Sequence, residues 1–212
     1  MTQKSAGGVS DWFEPLYARA NGDARQVPWA LPGAVPYLTE WLSANTVDGA
    51  GRSTVVVGCG LGDDAEALSA AGFSVTAFDI STSAIAWAQE RFPDSAVNYV
   101  AADLFQLPSD WRGAFDLVFE FRTIQALPLS VRSQTIENIA GLAKPDGTVL
   151  VMTYLRAEDT VPDGPPWPLS IGELKHFERV GLAVVRQDIF RKKESRFSDR
   201  IQIQYRVPRS PS

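Results

Sequence analysis

The stretch Thr54-Val-Val-Val-Gly-Cys-Gly-Leu-Gly-Asp-Asp-Ala65 constrains this chain more than any other. A β-branched run stops at three alternating glycines, Gly58, Gly60 and Gly62, and a helix-forming segment from Ala65 to Ala71 follows at once. The pattern predicts a buried strand, a tight turn and a helix. Without Cβ, the glycines tolerate left-handed dihedrals and bring the backbone into contact with a ligand lying across the strand's carboxyl end.

Charge around the turn narrows the ligand. Gly60-Leu-Gly-Asp-Asp-Ala65 also satisfies G-x-G-x-x-A, the dinucleotide pattern, which lays a pyrophosphate on a helix N-terminus. Asp63 and Asp64 already occupy that end. Like charges about 4 Å apart cost about 4 kcal/mol at an effective dielectric near 20, before screening. A nicotinamide-dependent oxidoreductase is thereby disfavoured. A positively charged ligand with no phosphate is favoured, and S-adenosyl-L-methionine, with its ammonium and sulfonium groups, fits. Two further strands end on carboxylates. Phe73 to Phe78 leads to Asp79, able to accept from both hydroxyls of an adenosine ribose, and Val97 to Ala102 leads to Asp103, able to accept from an adenine amino group.

Four segments, Gly58-Cys-Gly-Leu-Gly62, Phe78-Asp-Ile-Ser81, Ala102-Asp-Leu104 and Phe115-Asp-Leu-Val118, resemble in order and spacing the motifs of the class I S-adenosylmethionine-dependent methyltransferases. The resemblance implies an α/β fold: a Rossmann-like, seven-stranded, mostly parallel sheet with helices on both faces and a C-terminal antiparallel hairpin. It also implies cofactor contacts from Gly58, Cys59, Gly60, Gly62, Asp63, Asp79 and Ile80, with Asp103, Leu104, Glu120 and Phe121 completing the set, and S-adenosyl-L-homocysteine as product. The family often has an acidic residue two positions before the first glycine. Val56 stands there in this chain, which shifts the methionine amino group to Asp63 or to backbone carbonyls.

Two loops resemble the small-molecule branch of thiopurine and thiol or halide methyltransferases. Val27-Pro-Trp29 is followed by Pro32-Gly33 and Pro36, and Gly164-Pro-Pro-Trp-Pro168 precedes Ser170-Ile-Gly-Glu-Leu174. In that branch a Pro-Trp segment covers the cofactor, which makes Trp29 the expected lid residue. The second loop is expected to close the acceptor pocket.

With 212 residues, 45% of them apolar, the chain suffices for one globular domain: an N-terminal helix and lid segment over residues 1–33 and a cofactor-binding domain over 34–212. A net charge of −5 lacks the basic stripe that phosphate neutralisation needs, so no nucleic-acid partner is expected. The cluster Arg191-Lys-Lys193 with Arg196 reads as a solvated hairpin tip. One cysteine cannot form an internal disulfide, and no run approaches the roughly 20 apolar residues that span a bilayer. No secretory leader is visible, so a cytoplasmic location, no membrane partner and a monomer or homodimer are expected. Cys59 has no cationic activator and reads as a packing residue.

The remaining expectations concern elements and chemistry. Ser10 is expected to cap a helix carrying Trp12, Phe13, Leu16 and Tyr17, and helices are expected over Val35–Ala44, from Ile80 to Phe92, within Ile124–Ala143 with Pro128 near its start, and from Ser170 to Val180. Lys144-Pro-Asp-Gly147 is expected to turn into a strand over Thr148–Tyr154, and Leu182–Phe190 with Asp199–Val207 to form the hairpin. His176 reads as an ordinary helix residue. Glu120-Phe121-Arg122 ends the fourth strand, where open α/β sheets place their chemistry, so Glu120 and Arg122 are the candidate catalytic residues. Trp12, Tyr17, Arg122, Tyr154 and Trp167 are the candidate pocket for a small-molecule acceptor. The reaction needs no metal, because alignment and exclusion of water suffice when the electrophile resides in the cofactor. A thiol, which ionises near neutrality, is the favoured acceptor, with O or N open. The alternatives are a nicotinamide-dependent oxidoreductase and a non-catalytic adenosyl-ligand-binding protein.

Overall fold

The computed structural model describes residues 7–191 and 199–209. Lys192, Lys193 and Arg196 of the basic cluster lie outside the described residues. Contacts divide the chain into two compact units, residues 1–107 and 108–212. Seven strands form a mixed sheet in the order β3-β2-β1-β4-β5-β7-β6, as the sequence predicts.

The first unit holds α1 (Gly7–Ser10), α2 (Phe13–Ala20), α3 (Pro36–Ala44), β1 (Ser53–Val57), α4 (Asp63–Ala70), β2 (Ser74–Asp79), α5 (Thr82–Arg91) and β3 (Asn98–Ala101). β1 pairs in parallel with β2 from Ser53 opposite Ser74 to Val57 opposite Phe78, and β2 pairs in parallel with β3. Parallel strands covered on both faces are apolar without alternation, and Val55, Val56 and Val57 are all buried. Ser81 caps α5 by accepting from Ala84 N–H at 3.0 Å.

The aromatic helix starts later than expected. Ser10 closes α1 instead of capping the next helix, and Trp12 stands at the N-cap of α2 without a side-chain bond. The reason is Pro15. Proline has no N–H and fits only the first turn of a helix, and a start at Phe13 puts it there.

The second unit holds β4 (Phe115–Phe121), α6 (Thr123–Ala126), α7 (Arg132–Ala140), β5 (Ala143–Leu155), α8 (Ile171–Leu174), α9 (His176–Arg179), β6 (Ala183–Arg191) and β7 (Asp199–Arg206). β4 runs parallel to β5, and β7 pairs antiparallel with β5 on one side and β6 on the other. Two expectations in this unit are corrected, those for Lys144–Gly147 and for the helix after Ser170. The helix expected within Ile124–Ala143, with Pro128 near its start, is α7, and the short α6 before it ends at Leu127, which is extended because Pro128 disfavours helical geometry there. A 3₁₀ turn at Leu129–Val131 then leads into α7. Lys144-Pro-Asp-Gly147 falls inside β5: its pairing jumps from Phe115 opposite Ala143 to Leu117 opposite Thr148, and Asp146 takes φ 64° in the intervening bend. The helix after Ser170 divides into α8 and α9 at Lys175, while the expected capping box between Ser170 and Glu173 is present. His176 Nε2 lies 2.9 Å from Glu137 Oε1.

Candidate functional site

In the first unit the glycine turn takes the geometry its composition allows. Gly58, Gly60 and Gly62 have φ of 62°, 52° and 91°, values that side-chain-bearing residues rarely adopt. Space matters at Gly62 as well, since an added Cβ would lie 2.5 Å from the Tyr99 hydroxyl. The turn is tied from several directions. Asp79, buried at the end of β2, accepts from Gly60 N–H and Ser81 N–H, each at 3.0 Å. Burial raises the Asp79 pKa against the amides of Ser81, Gly60 and Ile80, which lower it. Arg91 donates to Leu61 O at 2.5 Å and pairs with Asp63 at 2.6 Å, and Tyr99 reaches Gly62 O at 3.4 Å.

The acidic helix start is therefore not a pair of open charges. Asp63 is neutralised by Arg91, and Asp64 accepts from Val35 N–H at 2.7 Å. Asp103 accepts locally, from Phe105 N–H at 2.9 Å and Gln106 Nε2 at 3.2 Å. Leu104 is buried. Burial and Asp79 push the Cys59 thiol well above its usual range, the opposite of what an activated nucleophile needs.

Tyr17 connects a cluster of aromatic rings to the turn. Trp29 Nε1 donates to the Tyr17 hydroxyl at 2.8 Å, and that oxygen would be 3.0 Å from a Cβ on Gly60. The rings of Trp12, Phe13 and Tyr17 lie 5.6, 5.9 and 5.8 Å from Trp29 in edge-on contacts, the geometry that ring quadrupoles favour. Burial and Asp79 raise the Tyr17 pKa well above 10.0, so its hydroxyl stays protonated.

Sequence reasoning missed what holds this aromatic helix in place. Glu14 accepts from the Ser81 hydroxyl at 2.7 Å, from Ser83 N–H at 3.1 Å and from the Ser83 hydroxyl at 2.5 Å. The Ser81 and Ser83 bonds lower its pKa, and a carboxylate at the start of α5 also meets the positive end of that helix. The run Ser81-Thr-Ser83 signalled a helix start but not which distant acid would meet it. Glu14→Ala is expected to lower the unfolding midpoint and to speed proteolytic cleavage within residues 14–33; an unchanged digestion pattern would remove Glu14 from this role.

In the second unit the carboxyl end of β4 carries the other candidates. Glu120 is fully buried; its Oε1 accepts from Ile124 N–H at 3.0 Å and its Oε2 has no hydrogen-bond partner among the described residues. Burial drives its pKa up to about 7, with the Ile124 and Thr123 amides and Arg132 opposing. Arg122 adopts φ 67°, a strained value for a residue with a side chain. Its guanidinium lies 4.4 Å from the Phe121 ring centre and 5.1 Å from that of Tyr154, and Arg200 approaches Tyr154 at 5.3 Å. The Tyr154 ring thus has two guanidinium groups within 5.3 Å of its centre.

Gln125 and Arg132 anchor the Pro-rich loop, a role not apparent from the sequence. Gln125 O accepts from Trp167 N–H at 2.6 Å, Gln125 Oε1 accepts from Thr153 Oγ1 and Tyr154 N–H, and Arg132 donates to Trp167 O at 3.0 Å. The Gly164-Pro165 and Pro165-Pro166 bonds are cis, and the Trp167 indole packs against Gly164. A buried Gln between Ile124 and Ala126 was the one available signal.

A strand, a positive-φ glycine turn and a buried carboxylate ending the second strand of a 3-2-1-4-5-7-6 sheet define the class I S-adenosylmethionine-dependent methyltransferase fold. Residues 20–203 match the model of the thiopurine S-methyltransferase (TPMT) family, and the chain belongs to that family. It is similar to Thiocyanate methyltransferase 1 of Arabidopsis thaliana, 29% identical over 150 residues that make up 68% of this chain and 63% of that protein. It is also similar to a ubiquinone biosynthesis O-methyltransferase of Methylococcus capsulatus, 32% identical over 157 residues, 73% of this chain and 61% of that one. The chain thus spans under two thirds of the length of both relatives. Among solved structures, the N-methyltransferase NodS from Bradyrhizobium japonicum WM9 in complex with S-adenosyl-L-homocysteine shares the fold, with a TM-score of 0.71, 20% identity and coverage of 94% of this chain and 98% of that one.

No helix among the described residues is long and apolar enough to cross a membrane, and no group of three or more His, Cys, Asp or Glu among them is placed to hold a metal ion.

Proposed function

We propose that this protein is an S-adenosyl-L-methionine-dependent methyltransferase acting on a small electron-rich acceptor, with sulfur the favoured atom and O or N the alternatives. The observation that carries the reading is Asp79. The amides of Gly60 and Ser81 each take one of the about four acceptor positions of its carboxylate, and the remaining positions suit the hydroxyls of a ribose. Gly58, Cys59, Gly60 and Gly62 would offer backbone to the adenosyl ligand, Asp103 with Leu104 would meet the adenine, and Ile80 would pack on the nucleoside. Because Arg91 holds the Asp63 carboxylate, backbone carbonyls of the turn are the better partners for the methionine ammonium. The pairing of Asp63 also weakens the charge argument against a diphosphate, and family membership now supports the adenosyl ligand in its place.

S-adenosyl-L-methionine, when bound, supplies an electrophilic methyl group on a sulfonium. What the chain must add is alignment, exclusion of water and an ionised acceptor. Arg122 and Arg200, both close to the Tyr154 ring, would favour the anionic form of an acceptor placed beside them. Such a device dispenses with a general base for a thiol or for thiocyanate, the acceptor in the name of one relative. Glu120, enclosed and bonded to the first turn of α6, is a positioning residue for the Arg122 turn. Trp12, Tyr17 and Trp29 would cover the cofactor, and Trp167 with Phe121 would bound the acceptor.

Calorimetry should show binding of S-adenosyl-L-homocysteine and none of NADH or NADPH; the reverse would establish the oxidoreductase. Labelled methyl donor offered with thiols, thiocyanate, phenols and amines should yield labelled S-methyl product. Absence of label from every acceptor, with homocysteine-form binding intact, would mark a non-catalytic binding protein. Trp29→Ala is expected to raise the Michaelis constant for donor or acceptor, and wild-type kinetics would remove Trp29 from the site.

A further inference from the structure

Four of the seven large apolar side chains exposed among the described residues, Val180, Val184, Val185 and Ile189, fall within residues 180–189. This is the approach to β6 and β6 itself. β6 is the last strand in the sheet order, so among the described residues one side of its ladder faces no further strand. Edge strands of this kind template pairing with another chain unless charge, a bulge or a cover blunts them. β6 has a bulge between Val184 and Arg186, and it carries Arg186 and Asp188, which pair with each other at 2.6 Å.

Two opposite charges separated by one residue do not repel a second copy of the same strand. With two β6 strands antiparallel and Gln187 opposite its counterpart, Arg186 of one copy faces Asp188 of the other, and the converse pair repeats across the axis. Val185, the extra residue of the bulge, and Val184 beyond it fall outside this register, so the two charge pairs about Gln187 define it. Centring the pair one residue either way would instead set Arg186 or Asp188 against its own copy, where like charges directly opposite destabilise. The charge pattern therefore selects one register out of three neighbours.

We propose that β6 is a homodimerisation edge, joining two copies about a two-fold axis at Gln187 through the Arg186–Asp188 cross-strand pairs, with the exposed Ile189 beside them. Such an interface is isologous, as two-fold dimers require. One short bulged strand per copy gives an interface at the small end of the specific range, so the dimer is concentration-dependent.

Sedimentation velocity on the full chain over a concentration series tests this directly. Wild type should shift from monomer to dimer as concentration rises. Arg186→Asp and Asp188→Arg should each weaken dimerisation at least tenfold by placing like charges opposite one another, and the double exchange Arg186→Asp with Asp188→Arg should restore it. A wild type that stays monomeric throughout, or single exchanges that dimerise as wild type does, would overturn the proposal. A double exchange that keeps wild-type circular dichroism yet stays monomeric would do so too. Because the double variant contains both changes, its native fold separates lost pairing from lost folding.

Discussion

Replacing Asp79 with alanine is expected to weaken binding of S-adenosyl-L-homocysteine by roughly 10- to 100-fold. A hydrogen bond to a charged acceptor contributes about 1.5 to 3 kcal/mol, and about 1.4 kcal/mol is a factor of ten in affinity. The same carboxylate holds Gly60 N–H and Ser81 N–H at 3.0 Å, so the variant loses both a ligand contact and an anchor of the glycine turn. Asp79→Asn, which keeps an acceptor oxygen, should fall between alanine and wild type. Calorimetry on variants whose melting curves show a folded protein decides the matter; wild-type affinity in Asp79→Ala would take Asp79 out of the binding site.

The second large effect concerns stability. Wild type is expected to lose stability relative to Glu120→Gln as pH rises from about 4.5 to about 7. Burial lifts the Glu120 carboxyl from 4.5 to about 7. In the unfolded chain it gives up its proton near 4.5 and in the folded chain only near 7, so between those values the folded state binds more protons. Its stabilising contribution is whole below 4.5 and is lost as pH rises through 7. A displacement of this size corresponds to a swing on the order of 3 kcal/mol. Glutamine retains an acceptor for Ile124 N–H and does not titrate. Urea melts of both proteins at several pH values across the window should diverge, and parallel curves would show that Glu120 is not held protonated.

The scaffold was readable in the sequence because its signals are local. The run Thr54–Val57 with alternating glycines, and the strand ends at Asp79 and Asp103, each carry their meaning within a dozen residues. Long-range partners left no such mark. Glu14 meets Ser81 and Ser83, and Arg91 meets Asp63 and Leu61 O, pairings that follow from how α2, α4 and α5 pack and not from spacing. The element errors have the same origin in weighing cues. Ser10 reads as a cap, but Pro15 sets the register of α2, and the helix that the Ser170 capping box starts divides at Lys175. At the candidate site, the ring of Tyr154 close to both Arg122 and Arg200 joins residues far apart in the chain, which no motif encodes.

The bracing of the glycine turn by Asp79, Arg91 and Tyr99 bears on selectivity. A receptacle already stiff when empty surrenders little freedom on filling, which favours tight capture. If the turn holds the donor as proposed, its stiffness also leaves it no means of sensing whether the donor's sulfur is still armed. Fresh donor and spent donor share the same nucleoside and amino-acid frame, so discrimination between them falls to whatever surrounds the sulfur itself.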